Sequence, residues 1–447
     1  MRIKDILKAT KGELLSGDLE SEITGVTQDS RMIQLGNLYV PIIGENHDGH
    51  DFIEGAFHNG AAATFVSRDI SFPDKIVIRV EDTLQALQQL AHYIRVNNPM
   101  KVVGITGSVG KTSTRDMIYS VVTQKYKALK TLGNYNNDIG LPLTVSRYQG
   151  EDVMVLEMGM SQLGEISLLS KLAQPDIAVI TTIGTAHIGD LGSRENILKA
   201  KLEIIDGMND GVLIVNDDND LLHQIQVPNI EVVRVGTGNC DVIAKNITLK
   251  ENSSEFTIVL DNKETKVHVP LPGKHFVINA LLAIAVGIKL EIPLDLCIRG
   301  IEQFELTKSR MDTLTLKNNI KIIDGTYNAS EDSMKSSIDV LVNYQGRKIC
   351  VLADMLDMGE FAQELHASVG KYVAEKGIDL LICRGENAKF IQQAAITHGM
   401  DNTMLFETNA QIIEYLDTIL HEGDVILCKG SNGMHMKEIV EYLKGKF

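Results

Sequence analysis

Residues 102–112 read VVGITGSVGKT, which is an apolar run, a glycine-rich turn and the start of a helix. Gly107 and Gly110 allow the backbone to turn tightly, so that successive N–H groups can point at phosphate oxygens. Lys111 brings a positive charge to the outer phosphates. The Thr112 hydroxyl can ligate Mg²⁺ at a helix start whose dipole favours anions. The stretch therefore predicts a site for ATP between a buried strand and a helix.

The match to the usual phosphate loop is incomplete. Ile105 stands where the pattern G-x-x-x-x-G-K-S/T has its first glycine. A plain turn followed by a capped helix would explain the glycines, but it would not explain the lysine after the second one. We expect these residues to hold ATP: Gly107, Ser108, Val109, Gly110, Lys111, Thr112 and Ser113.

Outward from this loop, apolar strands alternate with helical stretches, which predicts a parallel sheet covered on both faces. Residues 240–270 read as short alternating strands, and a second strand–helix series begins near residue 320. The 447 residues are too many for one core. We predict an α/β protein of three domains. These are a small mixed α/β N-terminal domain (1–98), a central ATPase domain with the phosphate loop and a parallel sheet (99–307), and a C-terminal Rossmann-like domain (308–447).

Composition narrows the possible functions. The hydrophobic share of 44% is ordinary for a globular protein, and the formal net charge of −16 disfavours binding to nucleic acid or to an anionic membrane surface. The longest nearly apolar run, residues 280–290, is too short to span a membrane. Five scattered cysteines without a C-x-x-C pair suggest free thiols in a reducing compartment. We therefore expect a cytoplasmic protein.

Three further residues are candidates for chemistry. Glu157 ends the apolar run 153–156, and a carboxylate at the carboxyl end of a parallel strand is well placed for magnesium. His187 follows another predicted strand, and Lys201 lies fourteen residues later on a helix predicted at 195–208. From spacing alone, a structural histidine and a solvent-facing lysine are the more frequent interpretations.

The chain resembles the Mur ligase family, cytoplasmic enzymes that build the peptide stem of bacterial peptidoglycan. The resemblance extends in family order over essentially the whole chain: the phosphate loop, the Glu157-Met158-Gly159 segment, Ala186-His187, Ala200-Lys201-Leu202-Glu203, Gly273–Asn279 and Ser309-Arg310-Met311. It implies that Asn279 and Arg310 contact the nucleotide. It also implies two Mg²⁺ ions, one held by Thr112 and Glu157, the other by His187 and a CO₂-derived carbamate on Lys201. Lys111, His187 and Lys201 would then be the catalytic residues.

Within the family, several segments resemble the member that joins D-alanyl-D-alanine to UDP-N-acetylmuramoyl-tripeptide. The resemblance implies these two partners and an acyl-phosphate intermediate, and we expect a monomer. Whether the tripeptide ends in lysine or diaminopimelate stays open. The residues implied in substrate binding fall in four segments: Ser30 and Arg31; Asp48, Gly49 and His50; Asn134 and Asn137; and Asp324, Tyr327 and Asn328.

Two alternative functions are also compatible with a phosphate loop. One is a neighbouring ligase, either the enzyme that adds the third amino acid or a folate-polyglutamate ligase. The Tyr-Ala-His-Thr-Pro type segment and the Asp-Asn-Pro motif of the former do not occur in the sequence. The other is a regulatory or scaffold protein that binds nucleotide without ligating anything. Such a protein would need neither the His187–Lys201 pair nor the match at Asn279.

Overall fold

The fold is that of a computed structural model, which describes residues 1–260, 263–307 and 312–447. Three separate β-sheets follow one another along the chain, with five, nine and six strands. The α/β class and three-part architecture predicted from the sequence are confirmed. Among the described residues, no helix is both long and apolar enough to cross a membrane.

The first sheet has the strand order β1-β5-β4-β3-β2 and is parallel except for the antiparallel β1–β5 pair. Helix α3 carries a buried stripe of apolar residues, and Asp82 caps its first turn by accepting from the N–H of Gln85. The elements are α1 (Ile3–Thr10), β1 (Glu13–Ser16), β2 (Gly25–Thr27), β3 (Asn37–Tyr39), α2 (Ile53–His58), β4 (Ala63–Val66), β5 (Ile76–Arg79) and α3 (Thr83–Val96).

Along the chain, the first strand of the central sheet is β6 (Lys101–Thr106). It leads through the phosphate loop into α4 (Lys111–Val122). The remaining elements are β7 (Ala128–Lys130), α5 (Gly140–Val145), β8 (Val153–Glu157), α6 (Glu165–Ala173), β9 (Ile177–Ile180), α7 (Ile188–Leu191), α8 (Arg194–Leu202), β10 (Val212–Asn216), α9 (Asp220–His223), β11 (Glu231–Gly236), β12 (Val242–Leu249), β13 (Ser254–Leu260), β14 (Lys263–Val269), α10 (Lys274–Lys289) and α11 (Leu294–Glu302). The strand order is β14-β13-β12-β11-β10-β9-β6-β8-β7.

The carboxyl ends of β8, β6 and β9 lie side by side in this sheet, which places the phosphate loop next to Glu157. The short alternating strands expected over 240–270 are β12, β13 and β14, which pair antiparallel with one another and extend the parallel sheet beyond β11. The helix expected over 195–208 ends at Leu202 and continues as a 3₁₀ turn, Glu203–Ile205.

The third sheet has the order β15-β16-β20-β17-β18-β19, with only β15 antiparallel to its neighbour. Its elements are β15 (Asp312–Thr315), β16 (Lys321–Gly325), α12 (Glu331–Val342), β17 (Lys348–Ala353), α13 (Ala362–Glu375), β18 (Leu380–Arg384), α14 (Ala388–Thr397), β19 (Thr403–Phe406), α15 (Asn409–Ile419), β20 (Val425–Lys429) and α16 (Lys437–Lys446). The domain boundaries at 98/99 and 307/308 stay a prediction.

Close packing of α13 on α14 depends on Gly370. A Cβ atom at this position would lie 2.0 Å from the carbonyl oxygen of Ile391, a backbone atom that cannot rotate away. We expect Gly370→Ala to lower the free energy of unfolding by about 1–3 kcal/mol through overpacking. Urea unfolding of the full chain, followed by circular dichroism, measures the change.

Gly445→Ala on α16 is the matched control, because a Cβ there meets nothing within 4 Å. Alanine is the better helix former, so this variant should be as stable as the wild type or more stable, by up to about 1 kcal/mol. Equal midpoints for the two variants would show that α13 and α14 do not need the glycine.

Candidate active site

The phosphate loop links β6 to α4 through two glycines with positive φ, Gly107 at 148° and Gly110 at 88°. A Cβ at residue 107 would lie 2.0 Å from the Thr181 hydroxyl oxygen, so only glycine fits there. The first turn of α4 directly follows Gly110, and its N–H groups face the loop. The local geometry is that of an anion site at a helix start.

The loop is tied to the segment that follows β9. The Ser108 N–H donates to the Thr182 carbonyl oxygen at 2.8 Å, and the Ser108 hydroxyl accepts from the Gly184 N–H at 3.0 Å. Lys111 Nζ donates to the Gly107 carbonyl oxygen at 2.7 Å, which keeps the ammonium group over the loop. The segment that leads to His187 is therefore bonded directly to the phosphate loop.

Glu157 is buried at the end of β8, with only 2% of its surface exposed. The Thr112 hydroxyl donates to Glu157 Oε2 at 3.0 Å, and Asn136 Nδ2 donates to Oε1 at 2.8 Å. Both carboxylate oxygens are thus held in place. A hydroxyl and a carboxylate in contact are oxygen donors of the kind that Mg²⁺ takes in phosphate sites.

Behind Glu157 lies a buried ion cluster. Arg115 Nη1 lies 3.5 Å from Glu157 Oε2, and Arg115 Nη2 donates to Asp116 Oδ1 at 2.8 Å, with both side chains of the Arg115–Asp116 pair almost fully buried. Burial by itself would raise the pKa of Asp116, but Arg115 and Lys130 outweigh it, so that pKa is lowered. Asp116 also accepts from the N–H and hydroxyl of Thr307, at 3.0 and 2.7 Å.

Lys201 is 1% exposed, and burial followed by the charge of Lys111 lowers the pKa of its ammonium group well below the usual value. His187 precedes α7 in a left-handed conformation, with φ at 65°. Burial, then Lys111 and Lys201, lowers the pKa of His187. The three groups therefore lie within reach of one another's charge.

A cavity of about 580 Å³ opens between the central sheet and the third domain. Asn279 lies in its wall, and its buried Nδ2 has no hydrogen-bond partner within the described residues, as expected of a group that binds a ligand. The predicted site residues in this wall are Ser108, Val109, Gly110, Lys111, Ser113, Asn137, Glu157, His187, Asn279, Tyr327 and Asn328. Those that the structure places outside the wall are Gly107, Thr112, Lys201, Asn134 and Asp324.

The predicted residues of the first domain also lie outside this cavity. Arg31 pairs with Asp29, and the Ser30 carbonyl oxygen accepts from Asn59. His50 is buried, with Nδ1 2.6 Å from Asp48 and Nε2 accepting from the N–H of Ser67.

Gly49 packs against the backbone of residues 41 and 42, where a Cβ would not fit. In this conformation the Asp48 and His50 side chains bond to the protein itself. Their assignment to substrate binding stays a prediction.

In the third domain, Asp324 accepts from the N–H and hydroxyl of Thr326 and so fixes the turn after β16. That turn presents Tyr327 and Asn328 to the cavity. Lys429, at the end of β20, donates to the Asn328 carbonyl oxygen at 2.9 Å and also lines the cavity. Arg310, predicted to contact the nucleotide, lies outside the described residues.

Sequence reasoning did not identify four residues with direct roles in this architecture. Asn136 holds Glu157, Arg115 and Asp116 form the buried cluster, and Asp332 contacts the peptide before His187. Asn136 lies 21 residues from Glu157, Asp116 lies 191 residues from Thr307, and Asp332 lies 147 residues from Thr185. Only the paired charges on α4 gave a signal, since opposite charges in a largely apolar helix face suggest a buried ion pair.

Fold and site together define a nucleotide-binding α/β ligase architecture, and comparisons with known proteins agree. The Mur ligase middle domain matches residues 105–287, the Mur ligase glutamate ligase domain matches 309–432, and the Mur ligase family catalytic domain matches 22–95. The chain is 39% identical to UDP-N-acetylmuramoyl-tripeptide--D-alanyl-D-alanine ligase of Bacillus subtilis, over 99% of this chain and 98% of that one.

Solved structures are similar over the same length. MurF from Acinetobacter baumannii superposes with a TM-score of 0.92 at 31% identity, covering 99% of this chain and 98% of the other. The MurF ligase from Thermotoga maritima in complex with ADP has a TM-score of 0.84 at 28% identity, over 94% and 97%. The chain belongs to the Mur ligase family, and it is an ATP-dependent ligase that forms amide bonds.

Removal of Arg115 tests the buried ion cluster. Arg115→Met should lower the free energy of unfolding by about 3 kcal/mol, the lower end of the range for breaking a buried pair, because Lys130 still faces Asp116. Urea unfolding measures the loss. Arg299→Met, on the exposed face of α11, is the control and should stay within about 0.5 kcal/mol of the wild type. Equal stability of the two variants would contradict a structural role for the cluster.

Proposed function

We propose that this chain joins D-alanyl-D-alanine to UDP-N-acetylmuramoyl-tripeptide with hydrolysis of ATP to ADP and phosphate, giving the UDP-N-acetylmuramoyl-pentapeptide precursor of bacterial peptidoglycan. The observation that carries the proposal is a cavity in which the phosphate loop, Glu157 and third-domain residues meet. The full-length identity to relatives named for this reaction supports the choice of substrates.

A carboxylate resists attack by an amine because it is electron-rich and lacks a good leaving group. In the proposed reaction a tripeptide carboxylate oxygen takes the γ-phosphoryl group of ATP, and ADP leaves. The dipeptide amine then attacks the acyl carbon, phosphate leaves with the C–O electron pair, and the nitrogen loses a proton. The protein contributes by placing the reactants and by stabilising the negative charge that develops.

Each part of the cavity has a distinct task in this proposal. The loop N–H groups and Lys111 bind the outer phosphates, and Asn279 binds the base of the nucleotide. Tyr327 and Asn328 face the dipeptide from the third domain, which keeps the amine on the side opposite the phosphate loop. Asn134 and Asn137 contact the tripeptide end of the other substrate.

The first domain holds the UDP-sugar, by Ser30, Arg31 and the 48–50 turn. Arg310 contacts the nucleotide where the chain enters the third domain.

Thr112 and Glu157 would hold one Mg²⁺, and His187 with a carbamate on Lys201 the second, where the ions would neutralise phosphate charge. The residues present fit such a pair of ions only if Lys201 is modified. Within the described residues no group of three His, Cys, Asp or Glu side chains can hold a metal. The lowered pKa of Lys201 supports the modification, because only the unprotonated amine attacks CO₂, releasing one proton as the carbamate forms.

We also propose that the protein is monomeric and cytoplasmic. The residues of one chain suffice to build the cavity, which supports a monomer. All five cysteines are unpaired, and four are buried, as expected of thiols in a reducing compartment.

Release of ADP and phosphate with ATP, UDP-N-acetylmuramoyl-tripeptide and D-alanyl-D-alanine tests the proposed reaction when each substrate is omitted in turn. Sustained release should need all three, and mass spectrometry should show the pentapeptide product. Release at the full rate without the dipeptide would contradict the ligase assignment. Activity with UDP-N-acetylmuramoyl-dipeptide and a free amino acid, in place of the tripeptide substrate and D-alanyl-D-alanine, would indicate the neighbouring ligase instead.

Lys201→Ala should lower turnover by about two orders of magnitude, because one of the groups that stabilise transition-state charge is lost. Short carboxylates such as acetate or formate should restore part of it. The ¹³C NMR spectrum of the wild type under ¹³CO₂ should show a carbamate signal that is missing in the variant, a readout independent of activity. A fully active Lys201→Ala protein would remove the carbamate from the mechanism.

A further inference from the structure

The peptide 182–189 joins β9 to the start of α7 and includes His187. Its first part is bonded to the phosphate loop through Ser108, as described above. It also contacts the third domain twice, at Thr185 before His187 and at Gly189 after it. We call residues 182–189 the histidine segment.

The first contact is made by Asp332, in the first turn of α12. Asp332 Oδ2 accepts from the Thr185 N–H at 3.0 Å and lies 3.4 Å from the Thr185 hydroxyl. The carboxylate is packed so closely that a Cβ on Gly184 would lie 2.0 Å from Oδ2, and all three nearest atoms would belong to Asp332. The Asp332 carboxylate is therefore the group that leaves no room for a side chain at Gly184.

The second contact is made by backbone alone. The Gly189 N–H donates to the Asp357 carbonyl oxygen at 3.2 Å. A Cβ on Gly189 would lie 2.6 Å from both that oxygen and the Gly359 nitrogen, so the two chains touch without intervening side chains. The third domain thus holds the histidine segment on both sides of His187.

Arg194 supports the same segment from within the central domain. It donates to the Ile183 carbonyl oxygen at 2.9 Å and pairs with Asp220, so the beginning of the segment is fixed whether or not the third domain is docked. Residues 184–189 are held to the central domain by the Ser108–Gly184 hydrogen bond and by Ile188, which is buried in the core. His187 also has the left-handed conformation that is unfavourable for a non-glycine residue.

We infer that Asp332 is a positioning residue, which sets the conformation of the histidine segment when the third domain docks and so couples docking to the placement of His187 beside the phosphate loop. The inference rests on the proposed function for the role of His187. It gives docking a chemical consequence: the dipeptide is presented by the same domain whose arrival completes the phosphoryl-transfer site. Premature use of ATP is then disfavoured, because His187 is in place only when the third domain is.

The test compares Asp332→Ala with Asp332→Asn. The alanine variant loses the acceptor for the Thr185 N–H, and its kcat should fall roughly ten- to a hundredfold, the usual effect of a misplaced catalytic group. The asparagine variant keeps an acceptor oxygen and should stay within about threefold of the wild type. Glu331→Ala, from the same helical turn, is the control, because the partners of Glu331 lie in its own domain.

A double-mutant cycle with Gly184→Ala separates coupling from simple damage. Gly184→Ala alone should lower kcat as much as Asp332→Ala, since the new Cβ and the carboxylate cannot both fit. Combined with Asp332→Ala it should cause no further loss, because the clash has gone. Losses that multiply in the double variant would overturn the inference.

Hydrogen exchange of residues 183–189, measured by mass spectrometry without substrates, gives a readout that a general loss of stability would not produce. Exchange should rise in Asp332→Ala and stay at the wild-type level in Asp332→Asn and Glu331→Ala, at equal melting temperatures. Unchanged exchange in Asp332→Ala would overturn the inference. If instead the wild type did not ligate the dipeptide, the proposed function would fail, and the exchange data would still decide whether Asp332 holds the segment.

Discussion

The carboxylate of Glu157 is 2% exposed at the end of a central strand, and a charge that is so little exposed must be matched. Thr112 and Asn136 satisfy its oxygens directly, while Arg115 supplies a positive charge 3.5 Å away. Arg115 is in turn neutralised by Asp116, which also holds Thr307 at the end of the described central domain. One buried anion therefore determines the contacts of α4, of the 134–138 loop and of the approach to the third domain.

Lys201 is buried beside the cavity. Burial, followed by the charge of Lys111, lowers the pKa of its ammonium group. A buried amine with a lowered pKa loses its proton more readily than an exposed lysine, and the free amine can then react with CO₂. The burial of Lys201 thus favours the modification that we propose, while the loop N–H groups and Lys111 favour an anionic ligand in the cavity.

The sequence predicted what depends on neighbouring residues. The phosphate loop and strands β6 and β8 follow from glycine placement and apolar runs within about ten to fifteen residues. The short edge strands β15 and β19 were missed, because four residues with few buried side chains carry little pattern. Asp332 could not be predicted, since an acid in the first turn of a helix is an ordinary capping residue. Its contact with Thr185 exists only because two domains meet.

The contact between the central and third domains also explains why two parts of the cavity wall are held differently. The phosphate loop and Glu157 belong to one continuous sheet, where strand pairing fixes their separation whatever the third domain does. His187 lies outside that sheet, on a segment with contacts to both domains. Of the groups proposed to handle phosphate, His187 is the one whose own segment is hydrogen-bonded to the third domain on both sides. A reaction step that depends on docking of the third domain would therefore act through His187. The phosphate loop would keep its position, because strand pairing fixes it.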